Sequence, residues 1–378
     1  MRLGRLVDVK KGKKAERVYS RPAAGLNRYL QIDDLRPDAT PKYVEPFACP
    51  LAAKADAVIA WDGANAGTVS FGLDGYAGST LAIVHPDTHE VWTPYLGRFL
   101  ESRFGYLQAT TKGATVPHLS NDVLERLEMP LPDLPVQRRI AGILDKADRL
   151  RRMRRYALEL SDQFLPALFL RMFGDPAENP RGWNTVNLGE LAERVTKGES
   201  PNWQGFAYQD TGILFVTSEN VGWGQPILDK RKYISEEFHS KLRRSQLRAG
   251  DLLINLVGAS IGRACLVGPA MTPGNVNQAV CVVTLDPDRA LPLFVLTVLL
   301  TPQMQRRLLG ESVESARANI SLGDVADLRV AIPPTRHQLE FADAAGRVSA
   351  QANCDRESLR QAEHLFHSLL NQYFGKED

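Results

Sequence analysis

The sequence predicts an α+β protein: two similar mixed α/β domains with small sheets, each followed by a long helix, the two helices packed as an antiparallel coiled coil. Three observations predict this. The first is a repeat, since Pro117–Asp175 matches Ala318–Lys376 without a gap at an offset of 201 positions. Identical pairs on that offset include Ser120/Ser321, Leu127/Leu328, Pro132/Pro333, Gln137/Gln338, Leu168/Leu369, Phe173/Phe374 and Gly174/Gly375. Solenoid units recur every 20 to 50 residues or so, so a period this long signals two copies of a whole domain. The second observation is a series of short apolar stretches between Gly, Asp and Pro clusters, the pattern of strands and turns. The third is an apolar spacing of three or four residues over a long stretch of each copy, the pattern of an amphipathic helix.

Taken in order, the first domain spans residues 1–133, with strand-like stretches at Ala57–Trp61, Thr68–Leu73 and Leu81–Val84. Prolines at 130, 132 and 135 mark a hinge, and a central helix occupies 134–176. Its stripe runs through Ile140, Ile143, Ala147, Leu150, Met153, Ala157, Leu160, Phe164 and Leu168. Pro166 is expected to kink or end the regular part, leaving roughly 30 residues, or about 45 Å. The second domain spans 177–334, with strand-like stretches at Ile213–Thr217, Asp251–Val257, Arg263–Val267 and Ala279–Leu285. A distal helix follows over 335–378, its stripe (Phe341, Ala345, Val348, Ala352, Leu359, Ala362, Phe366, Leu369) rich in alanine. Small residues permit close approach, which favours pairing of the two helices over each packing only on its own domain. A weaker register links the domains themselves: Asp56–Gly67 aligns with Asp251–Gly262, and Leu3-Gly4 with Gly12 resembles Leu188-Gly189 with Gly198.

Composition narrows the function. With 44% hydrophobic and 24% charged residues in 378, the chain reads as soluble and globular. A net charge of +2 excludes a polycationic coat protein, so any nucleic-acid binding must come from local patches. The four cysteines are scattered, without the spacing of a zinc site or a disulfide framework. The N-terminus lacks an apolar leader segment, and the run Leu291–Leu300, broken by Pro292, is too short to span a bilayer. A cytoplasmic protein without membrane contact is expected.

No nucleotide-binding glycine motif, metalloprotease motif or nucleophile elbow occurs. Ala331-Ile-Pro-Pro-Thr335 comes nearest to the Asn-Pro-Pro-aromatic motif of adenine methyltransferases, but lacks both the Asn and the aromatic. His85-Pro-Asp-Thr-His89 reads as a polar turn, because its spacing does not bring three ligands to one point.

The basic clusters say more. Lys11, Lys13 and Lys14 belong to one at the entry of the first domain, and Lys230 and Arg231 to one in the second. Such clusters either neutralise phosphates or solvate a surface. Base reading needs Asn, Gln, Arg or short polar side chains on loops. The candidates in the first copy are Trp61, Asp62, Asn65, Thr110, Thr111 and Lys112. In the second they are Asn255, Ser260, Asn275, Asn277, Gln278, Arg317 and Asn319. For any single one of these, an ordinary turn or strand-end role is the commoner alternative. The central helix is densely basic, and Arg138, Arg139, Arg151, Arg152 and Arg155, with Gln137 and Gln338 at the helix starts, are the candidates for docking partners; a solvated helix face is the alternative.

Leu119-Ser120, Leu127, Pro132, Gln137 and Phe173-Gly174 in copy one, with Pro130 and Asp175 beside them, recur as Ile320-Ser321, Leu328, Pro333, Gln338 and Phe374-Gly375 in copy two, which departs at Ala331 where copy one has Pro130. Two domains ending in this pattern and a long helix resemble the specificity (S) subunit of type I restriction-modification enzymes. The resemblance covers essentially the whole chain. It implies that each domain is a target recognition domain reading half of a bipartite, asymmetric sequence in double-stranded DNA, and that the helices set the spacer. It implies two methyltransferase (M) subunits near the helices, and restriction (R) subunits in the full complex. S-adenosylmethionine would then sit on M, and ATP with Mg²⁺ on R, with no cofactor in this non-catalytic chain. The other readings are a self-sufficient DNA methyltransferase or type II-like restriction enzyme, and a coiled-coil protein scaffold.

Overall fold

Two runs of short strands build two sets of small sheets of closely related topology. The computed structural model describes residues 1–36, 40–111, 117–310 and 319–375. Its two units are Met1–Ala157 with Asp355–Asp378, and Leu158–Cys354. In the first unit the strands are β1 (Val7–Lys11), β2 (Asn27–Leu30), β3 (Lys42–Val44), β4 (Leu51–Ala52), β5 (Ala57–Ala60), β6 (Val69–Phe71), β7 (Gly75–Ala77) and β8 (Leu81–Pro86). They form an antiparallel sheet in the order β1-β8-β5-β6 and a second sheet β3-β2-β7-β4, in which β2 and β7 run parallel. Helices α1 (Thr93–Ser102), α2 (Phe104–Ala109) and α3 (Asn121–Glu125) follow, and then α4 (Leu134–Phe173) begins.

The second unit repeats the plan. Its strands are β9 (Asn184–Asn187), β10 (Ala192–Lys197), β11 (Ile213–Val216), β12 (Lys232–Ile234), β13 (Leu252–Asn255), β14 (Ala264–Leu266), β15 (Gly274–Val276), β16 (Val280–Leu285) and β17 (Arg329–Ile332). The sheets are β10-β16-β13-β14, β12-β11-β15 with β11 and β15 parallel, and the pair β17-β9. Helix α5 (Glu236–Lys241) is followed by α6 (Pro292–Leu299), α7 (Pro302–Leu309), α8 (Leu322–Ala326) and α9 (Thr335–Phe374).

The central strands show why the apolar runs are continuous rather than alternating. In β5, Ala57 and Ile59 enter one core while Val58 and Ala60 enter another on the opposite face. In β13, Leu252 and Ile254 likewise part from Leu253. A strand covered on both faces is apolar at every position. The weaker register is structural as well: Gly12 and Gly198 occupy the same place after β1 and β10. A Cβ at Gly12 would lie 2.3 Å from the Ala77 and Gly78 carbonyl oxygens, and one at Gly198 would lie 1.6 Å from that of Val276. Only glycine permits that approach. Asp56 and Asp251 close equivalent turns before β5 and β13, their carboxylates accepting from the backbone N–H of Ala53 and of Arg248, each at 2.8 Å.

The helices differ from expectation at Pro166. Both run 40 residues, and α4 continues through the proline to Phe173. Pro166 is exposed, while the following turn buries Phe169 and Phe173 against Phe294 and Phe341. That burial outweighs the lost backbone hydrogen bond. The end of α9 does the same in the first unit, where Phe374 lies 5.1 Å from Tyr95 and 5.7 Å from Phe99 between ring centroids. Arg103 donates to the Phe374 carbonyl and caps the helix end. The division between units thus falls inside both helices, and within each unit they pair antiparallel: Arg155 bonds Glu363 at 2.9 Å in the first, and Phe169 meets Phe341 in the second.

Candidate nucleic-acid interface

One end of each larger sheet gathers polar loops. In the first unit this is where β1 and β5 finish and β8 begins. Lys11 ends β1, and its ammonium lies 2.9 Å from the Asp62 carboxylate just past β5. Asp62 forms an isolated bridge with exposed His118, and beside it Leu119 N–H donates to the Trp61 carbonyl at 2.9 Å. Asn65 follows in the same turn and accepts from Arg36 at 3.2 Å. Thr110 and Thr111 sit at the end of α2, their hydroxyls donating at 2.9 Å to the carbonyls of Tyr106 and Gln108, and Thr111 lines a recess with Gly63, Ala64 and Pro117. Lys14 is exposed, whereas Lys13 donates to the Ala48 carbonyl at 2.7 Å.

The second unit has the same junction with other side chains. Lys197 ends β10, Val257 takes the place of Asp62 and bridges Asn319, and Ile320 N–H donates to the Leu256 carbonyl at 2.8 Å. Ser260 is half-buried in the turn, and Asn277 sits between β15 and β16, its side-chain oxygen accepting from Ala279 N–H at 3.0 Å. Lys230 and Arg231 are exposed elsewhere, leading into edge strand β12. Lys112 and Arg317 lie outside the described residues.

Several expected contacts are withdrawn by burial. Trp61 is 6% exposed and belongs to the core beneath the turn. Asn255 is fully buried, its amide donating to the Ser218 carbonyl at 2.9 Å. Asn275 is fully buried too, donating to the Leu242 carbonyl and the Ser245 hydroxyl at 3.0 Å each. The half-buried Gln278 also turns its amide oxygen inward. Buried amides seek internal partners, and those of Asn255 and Asn275 find them in earlier segments of the domain, at Ser218 and at Leu242 and Ser245. The same sheet ends also carry His118, bridged to Asp62, and Lys197 at the end of β10. Reading His118 against Asn319 on the 201-residue offset, and Lys197-Gly198 against Lys11-Gly12, would have found both.

The expected docking residues divide similarly. Gln137 and Gln338 are fully buried. Gln137 donates to the Glu90 and Pro132 carbonyls at 2.7 and 2.8 Å and accepts from Trp92 N–H at 2.9 Å. Gln338 donates to Pro333 at 2.9 Å and accepts from Leu291 N–H at 2.8 Å. These glutamines fasten each long helix to the segment entering α1 or α6, which removes them from any partner surface. Arg138 and Arg139 are exposed, and Arg151, Arg152 and Arg155 form ion pairs within the first unit, the last two while still exposed. Arg151 bonds Asp148 and Glu101, Arg152 bonds Asp148, and Arg155 bonds Glu363. At the centre of this network buried Arg98 reaches Glu101, Asp145 and Asp148. Burial raises the Asp148 pKa, yet Arg98 and Arg151 outweigh it and hold the carboxyl below its usual range. The Arg151 guanidinium also lies 3.9 Å from the centroid of Phe366.

Among the described residues no cluster of His, Cys, Asp and Glu could hold a metal, and no helix is long and apolar enough to cross a membrane. His85 pairs with Asp56 at the turn before β5.

Residues 1–159 match the family described as the type I restriction modification DNA specificity domain. Across 98% of this chain and 90% of the relative, the sequence is 21% identical to the type I restriction enzyme MjaVIII specificity subunit of Methanocaldococcus jannaschii. The first domain, at least, carries the type I specificity-domain pattern. The chain is also 26% identical to the EcoBI specificity subunit of Escherichia coli, over 72% of its own length and 62% of the relative's. The fold is that of the S subunit of a type I restriction-modification system from M. genitalium, with a TM-score of 0.61 and 14% identity over 100% of this chain and 96% of that one. A second solved chain, from work on complex assembly and conformational transition of the type I system, gives a TM-score of 0.59 and 20% identity, covering 99% and 96%. The relatives matched along most of the chain are thus named as specificity subunits of type I restriction enzymes, and its first 159 residues match a type I DNA specificity domain.

Proposed function

We propose that each domain of the specificity subunit reads one half of a bipartite, asymmetric target in double-stranded DNA, and that the paired helices set the spacer and dock the methyltransferase subunits. The observation that carries this reading is the matched junction at the ends of the two larger sheets. One frame holds Lys11, Asp62 and His118 in the first unit and Lys197, Val257 and Asn319 in the second. A common frame with different side chains presents different donors, acceptors and apolar groups to base edges, which is what two unlike half-sites require. Exposed Leu150, Met153 and Tyr156, and beyond them Leu160 and Phe164, give α4 apolar surface that an M subunit would cover. S-adenosylmethionine belongs on M, and ATP with Mg²⁺ on the R subunits of the full complex.

A helix of 40 residues is about 60 Å long, longer than its first reading because Pro166 does not end it. Insertion of four residues, about one turn, after Ala157 in α4 and after Cys354 in α9 lengthens both helices where the units divide and leaves the Arg151 and Arg155 contacts intact. The modification sites of cells carrying this variant should keep both half-site sequences and change the number of unspecified base pairs between them. Altered half-site bases with the old spacer would show that the helices are not the ruler.

A further inference from the structure

Trp203 is 76% exposed, more than any other large apolar side chain among the described residues. It lies in the segment joining β10 to β11, on a short 3-10 helix (Pro201–Gln204) that is braced on all sides. Pro201 is buried, Phe206 N–H donates to its carbonyl at 3.0 Å, and Gly205 ends the helix at φ +80°. Glu199 accepts from Gln204 at 2.6 Å and from Arg244, tying both ends of the turn to the body of the domain. Phe206 anchors the exit, 4.8 Å from Phe238 between ring centroids. The indole thus stands in water because the backbone holds it there, at the cost of exposing a large apolar face.

Its surroundings are cationic. Lys197 precedes the turn, and the Lys241 ammonium lies 5.4 Å from the Phe206 centroid. Exposed Arg243 and Arg244 flank it, the acids Glu236 and Glu237 sit at the other end of α5 from Lys241, and Glu199 is neutralised by Arg244. In the first unit the equivalent segment, between β1 and β2, has no tryptophan and carries Lys13, Lys14, Arg17 and Arg21. One segment of the common frame is thus basic in one domain and a braced indole among cations in the other. Cations meet phosphates, and the apolar feature that a base edge offers in the major groove is the thymine 5-methyl group.

We infer that Trp203 is a specificity-determining residue for the half-site read by the second domain, packing its indole against a thymine methyl there. This rests on the DNA reading proposed above. The test uses the specificity subunit assembled with its methyltransferase subunits, on the target found by modification mapping and on a scrambled duplex. Trp203→Ala should bind the target at least about fivefold more weakly and leave affinity for the scrambled duplex unchanged, with Trp203→Phe recovering most of the loss. Replacing thymine by uracil in the second half-site should weaken the unaltered complex and leave the Trp203→Ala complex indifferent. Equal losses on target and scrambled DNA, a half-site without thymine, or no cost of uracil for the unaltered complex would overturn the assignment. An unaltered complex that does not distinguish target from scrambled duplex would instead overturn the DNA reading on which it rests.

Discussion

Gln137 and Gln338 show how a repeated residue can carry structure rather than contact. Both are buried at the first turn of a long helix and bond the backbone of the segment entering α1 or α6. Sequence spacing alone could not separate that role from docking, because a motif glutamine reads the same in either case. Burial decided it, as it did for Asn255 and Asn275. Asp148 makes the energetic case at this scale, buried with Arg98, Arg151 and Arg152 around it. Its folded pKa is depressed, so its contribution is present above the unfolded value of about 4 and is lost as pH falls through the lower folded value. Thermal unfolding followed from neutral pH down to about 3 should show the midpoint falling on the acid side, with a shallower fall in Asp148→Asn. That variant should also be less stable at neutral pH, because Arg98 loses a buried partner. Acid limbs of equal slope in the two proteins would exclude Asp148 as a source of the pH dependence.

At the scale of elements, the strands were legible because each central strand is apolar on both faces and ends in a glycine-rich turn. The helices were legible from their spacing of three and four, but their ends were not. Whether Pro166 breaks α4 depends on what lies beyond it, and the aromatic cluster of Phe169, Phe173, Phe294 and Phe341 draws residues far apart in the chain. The middle of the α4 stripe also departs from expectation: Leu150, Met153, Leu160 and Phe164 remain exposed rather than covered by the partner helix. The terminal turn of α9 is an anchor of the same kind as that of α4. Phe374→Ala removes its contacts with Tyr95 and Phe99 and should destabilise the first unit by about 3–5 kcal/mol in denaturant unfolding. A change below about 1 kcal/mol would mean that the end of α9 does not hold that core together.

At the scale of the whole molecule, the duplication reappears as two units whose larger sheets share one strand order and whose second sheets share the parallel pairs β2/β7 and β11/β15. The first unit is not a continuous stretch of chain, since Asp355–Asp378 complete it, whereas the second is the unbroken run Leu158–Cys354, which begins inside α4 and ends inside α9. On the reading proposed above, such a chain recognises DNA and leaves catalysis to its partners. The purified specificity subunit should bind mixed-sequence duplex with an affinity that falls as salt rises, and should transfer no methyl group from labelled S-adenosylmethionine unless M subunits are added. Methyl incorporation by the chain alone would make it an enzyme, and binding without salt dependence would favour a protein scaffold.

By itself the sequence determined the duplication, the central strands, the two long helices and a family resemblance, because apolar periodicity and an unbroken repeat are properties of neighbours along the chain. Tertiary structure decided which polar residues face water, where each helix stops, and which parts of the chain complete each domain. Those depend on partners brought together from distant positions: Asn319 to Val257, His118 to Asp62, and Phe374 to Tyr95. Burial and pairing across such separations leave no local signal, so the matched junction became visible only when the two sheet ends could be compared.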